Sequence, residues 1–342
     1  MDLLRVDLVS IYDLRFERAR RIPWPLLEHS DSRIASGLKE SFGWIFYGDE
    51  LQGFELFDLT GVIPGSEGAA LRINRQAGVG SLLTWRMRDG GADPLNFKAT
   101  SWNQADQDWS PIAPLFTRLE GDRVFPFLSI QVNTDAENLD AFATANAVEL
   151  GRFLTGDLEG ERSSTLKQYI VADLSQRTYE KLFLRWTEAL AVYARLKSPK
   201  FYDNCMFRAV QIFEHCILGQ LSLVSALEKM NRFSRRLALV TPGKWLRARE
   251  LFISLADAEF TFIIYPRTQS VEAKRLLAAA HDQFGLGNFL ASAKAKGDEL
   301  REQFEWGKTQ TLGLIAVVTY LLDKIIGWDK IKYWISTLFS HR

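Results

Sequence analysis

The chain has 342 residues, enough for two or three domains, and its 42 basic side chains balance 42 acidic ones. Zero net charge argues against bulk nucleic-acid binding, which needs a basic face. Two cysteines cannot form a disulfide framework and fit a reducing compartment.

The start, Met1-Asp-Leu-Leu-Arg-Val-Asp7, carries charges inside its first apolar run and does not read as a signal peptide. The body of the protein is therefore expected in the cytoplasm. Proline and glycine punctuate the front of the chain: seven of ten prolines lie at or before Pro126, and twelve of 23 glycines precede residue 135. Such punctuation suits short strands and turns. Leu3 to Ile11 is apolar-rich and predicts a first strand. Arg33 to Ser41 predicts a helix. Gly43 to Gly48 and Phe54 to Phe57 predict strands flanking a turn-like Gly48-Asp-Glu. Ala70 to Arg75 and Ser81 to Arg88 alternate with period two, the mark of half-buried strands. Ala77-Gly-Val-Gly80 between them reads as a turn. Asp89 to Ser110 reads as an irregular stretch ringed by Trp85, Trp102 and Trp109. Aromatic faces stack on flat ligands, so these three are candidates for a small-molecule pocket; a hydrophobic cluster that pins the loop is the other reading. Pro126 to Val132 predicts a further strand. Residues 1–133 thus read as a mixed α/β domain with a sheet of roughly six strands.

From residue 134 the texture changes to long helical periods, and 134–287 reads as a helical bundle. Thr134-Asp-Ala-Glu137 has capping-box spacing and opens a helix towards Leu154. Ser164 to Lys197 predicts a long helix in which Arg185 and Glu188 stand at i,i+3 as an ion pair. Phe201 to Arg235 predicts another helix. It is very apolar but carries Arg208 and Glu214, so it reads as a core helix. Thr241-Pro242 opens a helix towards Tyr265, and Ser270 opens a shorter one that stops at Gly285. From Asn288 nothing firmly breaks the helix before Gly327, which implies a rod of about 40 residues and about 60 Å.

Polarity changes along that rod. Its first half carries Lys294, Lys296, Asp298, Glu299, Arg301, Glu302 and Glu305; its second half holds the apolar run Leu312 to Leu322. Trp306 and Trp328 bracket the run, and the steps between them span about 33 Å against a hydrocarbon core of ~30 Å. Tryptophan favours both membrane interfaces. Residues 288–328 therefore read as a stalk and transmembrane helix, and 329–342 as an interfacial tail. Trp306, Trp328, Lys308, Lys324 and Trp334 are the expected membrane-interface anchors. Asp323 is the residue hardest to place in lipid, so an interfacial helix and a buried core helix stay open beside the span. The fold expected is α+β: an N-terminal mixed α/β-sheet domain, a helical bundle and a long C-terminal stalk helix entering a membrane.

This layout resembles the CorA-like divalent-cation transporter superfamily, in which an α/β domain and a helical region lead into a very long stalk helix and membrane helices. Its single-span relatives of the mitochondrial RMND type (DUF155) are also similar. They end in a charged helix that meets a Glu-Trp and then an apolar run. Asp298-Glu-Leu-Arg-Glu-Gln-Phe-Glu-Trp306 and Leu312-Gly-Leu-Ile-Ala-Val-Val318 are the matching pieces here. The resemblance implies a ring-shaped homo-oligomer in the cell inner membrane. It departs at Gly327-Trp328-Asp329, where magnesium channels of the family carry Gly-Met-Asn, and no second span follows. Specific magnesium transport is therefore not expected.

The sequence offers little other chemistry. Cys205 and Cys216 are three helical turns apart, about 16 Å, and cannot share a metal within one helix. Gly61 to Gly68 lacks the Lys-Ser/Thr of a phosphate loop. No cofactor, metal site or catalytic constellation is identified, and the chain is not expected to be an enzyme. The expected partners are membrane lipid, further copies of the chain and a small-molecule or protein trigger, but no nucleic acid. In a ring, Thr309, Thr311, Thr319 and Asp323 are the candidate pore-lining residues. An ion-conducting or membrane-disrupting effector, for example in prokaryotic antiviral defence, is one expectation. A non-conducting membrane-anchored scaffold that recruits a protein, and a soluble protein with a docked C-terminal helix, are the alternatives.

Overall fold

The computed structural model describes residues 1–45, 54–121, 123–156, 162–175, 177–185, 188–196, 198–234, 250–253, 255, 271–283 and 285–326. In chain order these form β1 (Leu3–Arg15), β2 (Arg18–Ala19), α1 (Arg33–Ile45), β3 (Glu55–Asp58), β4 (Gly68–Asn74), β5 (Val79–Asp89), α2 (Pro94–Asn103), α3 (Ala105–Trp109), β6 (Phe116–Thr117) and β7 (Val124–Val132). Then follow α4 (Leu139–Ala145), α5 (Ala147–Thr155), α6 (Ser163–Val171), β8 (Glu180–Arg185), β9 (Glu188–Tyr193), α7 (Pro199–Ser234), α8 (Val271–Gln283) and α9 (Leu286–Ile326). The chain divides into two units, Met1–Ser225 with Ala256–Leu290, and Ala226–Leu255 with Ala291–Arg342.

The first unit is mixed α/β. Its seven-stranded sheet has the order β3-β4-β5-β1-β7-β9-β8. All neighbours are antiparallel except β7 and β9, which run parallel from Phe127↔Ala189 to Gln131↔Tyr193. A parallel pair needs a crossover; here α4, α5, α6 and β8 lie between the two strands in sequence. β1 is buried without a break from Val6 to Leu14 because both sheet faces are covered. On one face Val6, Leu8, Leu128, Ile130 and Val192 pack with Leu150 and Phe153 of α5. A second cluster joins Leu14, Leu71, Ile73 and Leu82 to Ile112 and Phe116. On the opposite face lies α7, with Phe207 edge-on to Trp85 (5.2 Å between centroids) and Phe213 against Phe127 (6.1 Å). Burial of each such ring contributes roughly 1.5–3 kcal/mol.

The strands expected around Leu3–Ile11, Phe54–Phe57, Ala70–Arg75, Ser81–Arg88 and Pro126–Val132 are present as β1, β3, β4, β5 and β7. The β4–β5 turn places Gly78 at φ +70, where a Cβ would stand 2.5 Å from the Phe16 carbonyl oxygen. Four expectations differ. The single helix expected from Thr134 towards Leu154 is two, α4 and α5, which meet at Asn146. Of the strand expected over Gly43–Gly48, Gly43 to Ile45 end α1 as helix; residues 46–48 and the expected turn after them lie outside the described residues. Asp89–Ser110 contains α2 and α3; Asp93 caps α2 by accepting from the Leu95 amide at 3.1 Å, with Pro94 in the first turn. The long helix expected over Ser164–Lys197 is α6 followed by the β8–β9 hairpin, in which Arg185 and Glu188 face each other across strands. Leu182 to Leu184 and Ala189 to Tyr193 are apolar at every position, and such unbroken runs also fit a buried helix. The region 134–287 therefore supplies two sheet strands as well as helices.

The C-terminal rod is one helix of 41 residues, α9, which belongs to the second unit from Ala291 onward. Its Ala293 and Leu300 are buried, and a Cβ at Gly297 would touch Phe252 and Leu255 at 3.7 Å. Among the described residues, one helix, Pro199–Phe233, is long and apolar enough to cross a membrane, and 78% of its most apolar window is buried. The same composition that would suit a bilayer serves the core here.

Candidate functional site

The first unit places an ionic layer between α7 and the sheet. Asp203, in the first turns of α7, takes Arg33 of α1 by two bonds (Nε 2.7 Å, Nη2 3.1 Å) and Arg5 of β1 by a third (2.8 Å). Arg5 also pairs with Asp7 at 2.7 Å, and the Trp85 indole N–H donates to Asp7 at 2.8 Å. Burial raises the Asp7 carboxyl above its ordinary range, and Arg5 opposes that rise. The Arg33 guanidinium lies 4.6 Å from the Trp85 ring and that of Arg5 4.5 Å from Tyr202, cation–π distances. Further along α7, Arg208 binds Glu180 of β8 at 2.6 Å, and Tyr193 donates to the same carboxylate at 3.2 Å. Glu214 then accepts from Arg72 of β4 at 3.0 Å and from the Ser81 hydroxyl. Each cation in this layer meets a carboxylate, as burial of charge demands.

Beside the Arg72–Glu214 pair lies a cavity of about 470 Å³, bounded by α1, β3, β4, α7 and the turn at Leu26–Glu28. Leu26, Leu38, Phe54 and Leu56 form apolar walls. Arg72 and Gln211 line it from the interior, 3% and 2% exposed; Lys39 and Glu28 line it from the surface. The size falls in the usual range for small-molecule sites.

The three tryptophans expected around a pocket are not brought together. Trp85 is fully buried on the α7 face of the sheet. Trp109 packs edge-on against Tyr12 at 5.6 Å, on the opposite face. Trp102 is 45% exposed on α2. β5 turns Trp85 to one side, while α2 and α3 cover the other. The cavity residues Arg72 and Gln211 carried no sequence signal of their own; an arginine inside the alternating strand Ala70–Arg75 was the one available hint.

Cys205 and Cys216 are buried free thiols, and burial pushes the Cys205 thiol up to about 11. Burial lowers His215 to about 3. Among the described residues no group of three metal-ligating side chains comes together.

Of the C-terminal positions, Trp306, Lys308, Thr309, Thr311, Thr319, Asp323 and Lys324 lie on α9; Trp328 and Trp334 lie outside the described residues. Successive residues of an α-helix turn by about 100°. Ideal helix spacing therefore spreads the four positions over an arc of about 160°, with Asp323 and Thr319 between Thr309 and Thr311. Ala316 is exposed, and so are Val317 (54%) and Tyr320 (61%).

No family model, curated protein or solved structure matches the chain.

Proposed function

We propose that the protein is a membrane-anchored homo-oligomer, attached through the second half of α9 and carrying its mixed α/β unit in the cytoplasm. The observation that supports this most is the continuity of α9. One unbroken helix of 41 residues carries seven charged side chains between Lys294 and Glu305 and then the apolar run Leu312 to Leu322. A rod whose polarity changes along its length suits passage from water into lipid. The exposed Val317 and Tyr320 are apolar surface that lipid or neighbouring copies would cover.

Small and hydroxyl residues, Gly313, Ala316 and Thr319, favour close helix contact within a membrane. In a ring of such helices, Thr309, Thr319 and Asp323 share the side that would face the axis, and a ring of carboxylates favours cations. Thr311 stands at the edge of the same arc, about 80° from Thr319. The likeness to CorA-like proteins supports this layout, and the missing Gly-Met-Asn argues against magnesium as cargo. An effector role in antiviral defence rests on analogy alone.

Fractionation of cells expressing the full chain, followed by sizing in detergent, tests the proposal. The full chain belongs in the membrane fraction and runs as an oligomer, whereas a chain ending at Glu305 leaves the membrane and stays folded. A full-length protein that is soluble and monomeric without detergent overturns the reading. Ion flux in liposomes separates a pore from a scaffold: a pore conducts, and Asp323→Asn lowers its cation preference, whereas a scaffold gives no flux with either chain.

A further inference from the structure

The cavity beside Arg72 has no part in membrane attachment, yet its walls carry charge. Leu71 and Ile73 of β4 face the cluster that holds Ile112 and Phe116, so strand alternation sends Arg72 to the other side. Leu56 of β3 stands directly opposite Arg72, shares that side and lines the cavity with it. The guanidinium gives Nε to Glu214 at 3.0 Å, and neither terminal nitrogen has an acceptor among the described residues. Those two nitrogens are not among the sealed unpartnered atoms, whereas Gln211 Oε1 is. They therefore keep accessible surface, although Arg72 as a whole is only 3% exposed, and present a free planar fork of donors.

The charges leave room for one anion. Arg72 is matched by Glu214. Lys39 also lines the cavity, and its ammonium donates to the Glu28 and Ser30 carbonyls at 2.9 and 2.7 Å. Those acceptors are neutral, so among the described residues no carboxylate matches the Lys39 charge, and its third N–H stays open. The acidic side chains of the lining are engaged elsewhere. Glu55 meets Arg75 at 2.8 Å, and Glu28, 56% exposed, meets His29 at 3.1 Å. A guanidinium fork fits the two oxygens of a carboxylate, and one carboxylate completes the count. Leu26, Leu38, Phe54 and Leu56 wall the space for an apolar body.

We infer that this cavity binds a small monocarboxylate on an apolar body. The carboxylate accepts from the free fork of Arg72, Lys39 balances its charge from the surface side, and the body lies among the leucines and Phe54. The site does not depend on whether α9 enters a membrane.

The test is ligand-observed NMR titration of the full chain in detergent with naphthoate, naphthamide and naphthyl phosphate. Naphthoate binds saturably. Naphthamide, of the same shape without the charge, binds about tenfold more weakly. Naphthyl phosphate, which brings a second negative charge, also binds more weakly. Lys39→Met lowers naphthoate affinity severalfold and leaves naphthamide unchanged; Lys39 is exposed, so this arm stands even where a cavity-filling variant does not fold. Leu56→Trp fills the cavity and abolishes binding of all three. Absence of saturable naphthoate binding overturns the inference. Equal binding of naphthoate and naphthamide, tighter binding of naphthyl phosphate, naphthoate affinity unmoved by Lys39→Met, or naphthoate binding that survives Leu56→Trp each does the same.

Discussion

The Arg208 guanidinium meets the Glu180 carboxylate at 2.6 Å and so ties the first third of α7 to β8, the last strand in the order of the sheet. Glu180 is fully buried and Arg208 is 7% exposed. A buried carboxylate that loses its cation is left uncompensated, so Arg208→Ala should cost about 3–5 kcal/mol. Replacing both partners by apolar groups removes the unmatched charge, and Arg208→Met with Glu180→Leu should recover most of that loss. Urea unfolding of the three chains checks this. A double variant no more stable than Arg208→Ala would show that packing, not charge, sets the cost.

Helix α1 approaches α7 so closely that a Cβ at Gly37 would stand 2.3 Å from Cδ2 of Phe207. That ring is itself fixed edge-on against Trp85. Gly37→Ala should therefore destabilise the first unit by about 1–3 kcal/mol through overpacking, despite alanine's better helix propensity. Adding Phe207→Leu should relieve part of the clash. Thermal unfolding followed by tryptophan fluorescence reads both.

Much of this frame was legible locally. β4 and β5 alternate, β1 is a long apolar run with few breakers, and α7 and α9 keep helical periods between Pro199, Gly285 and Gly327. What was hidden depends on long-range placement. β8 and β9 read as helix because covered faces erase period-two alternation. α2 was missed although Asp93-Pro94 is a helix-start signal. Arg72 and Glu214 are 142 positions apart, so no local pattern announces the cavity they adjoin. The Trp85, Trp102 and Trp109 grouping failed because closeness in sequence does not fix the side of a sheet.

Lys98 is fully buried on α2, and its ammonium donates to the Phe153 and Leu154 carbonyls of α5 at 3.1 and 2.6 Å. Burial lowers its pKa from 10.5 to about 8, against the opposing pull of Glu188 at 3.4 Å. Between those values the unfolded chain holds a proton that the folded chain has released. Stability contributed by this group therefore rises as pH increases through about 8 towards 10.5. Lys98→Met should lose about 1–3 kcal/mol at neutral pH, because two buried carbonyls lose their donor. The difference between wild type and variant should widen on the alkaline side. A constant difference from pH 7 to 10 would mean that Lys98 titrates normally.

His215 provides the acid counterpart. It is fully enclosed on α7, and burial, with smaller contributions from His281 and Arg72, lowers it from 6.5 to about 3. Below about pH 6.5 the unfolded chain takes up a proton that the folded imidazole refuses until about pH 3. The folded state then binds fewer protons, so stability falls as pH drops through that window. His215→Leu keeps the volume apolar and removes the titration. Its stability should decline less steeply than wild type between pH 6.5 and 4, where carboxylate protonation is common to both chains. Urea midpoints at half-unit pH steps give the slopes. Parallel slopes would show that His215 is protonated in the folded chain and that its surroundings admit water.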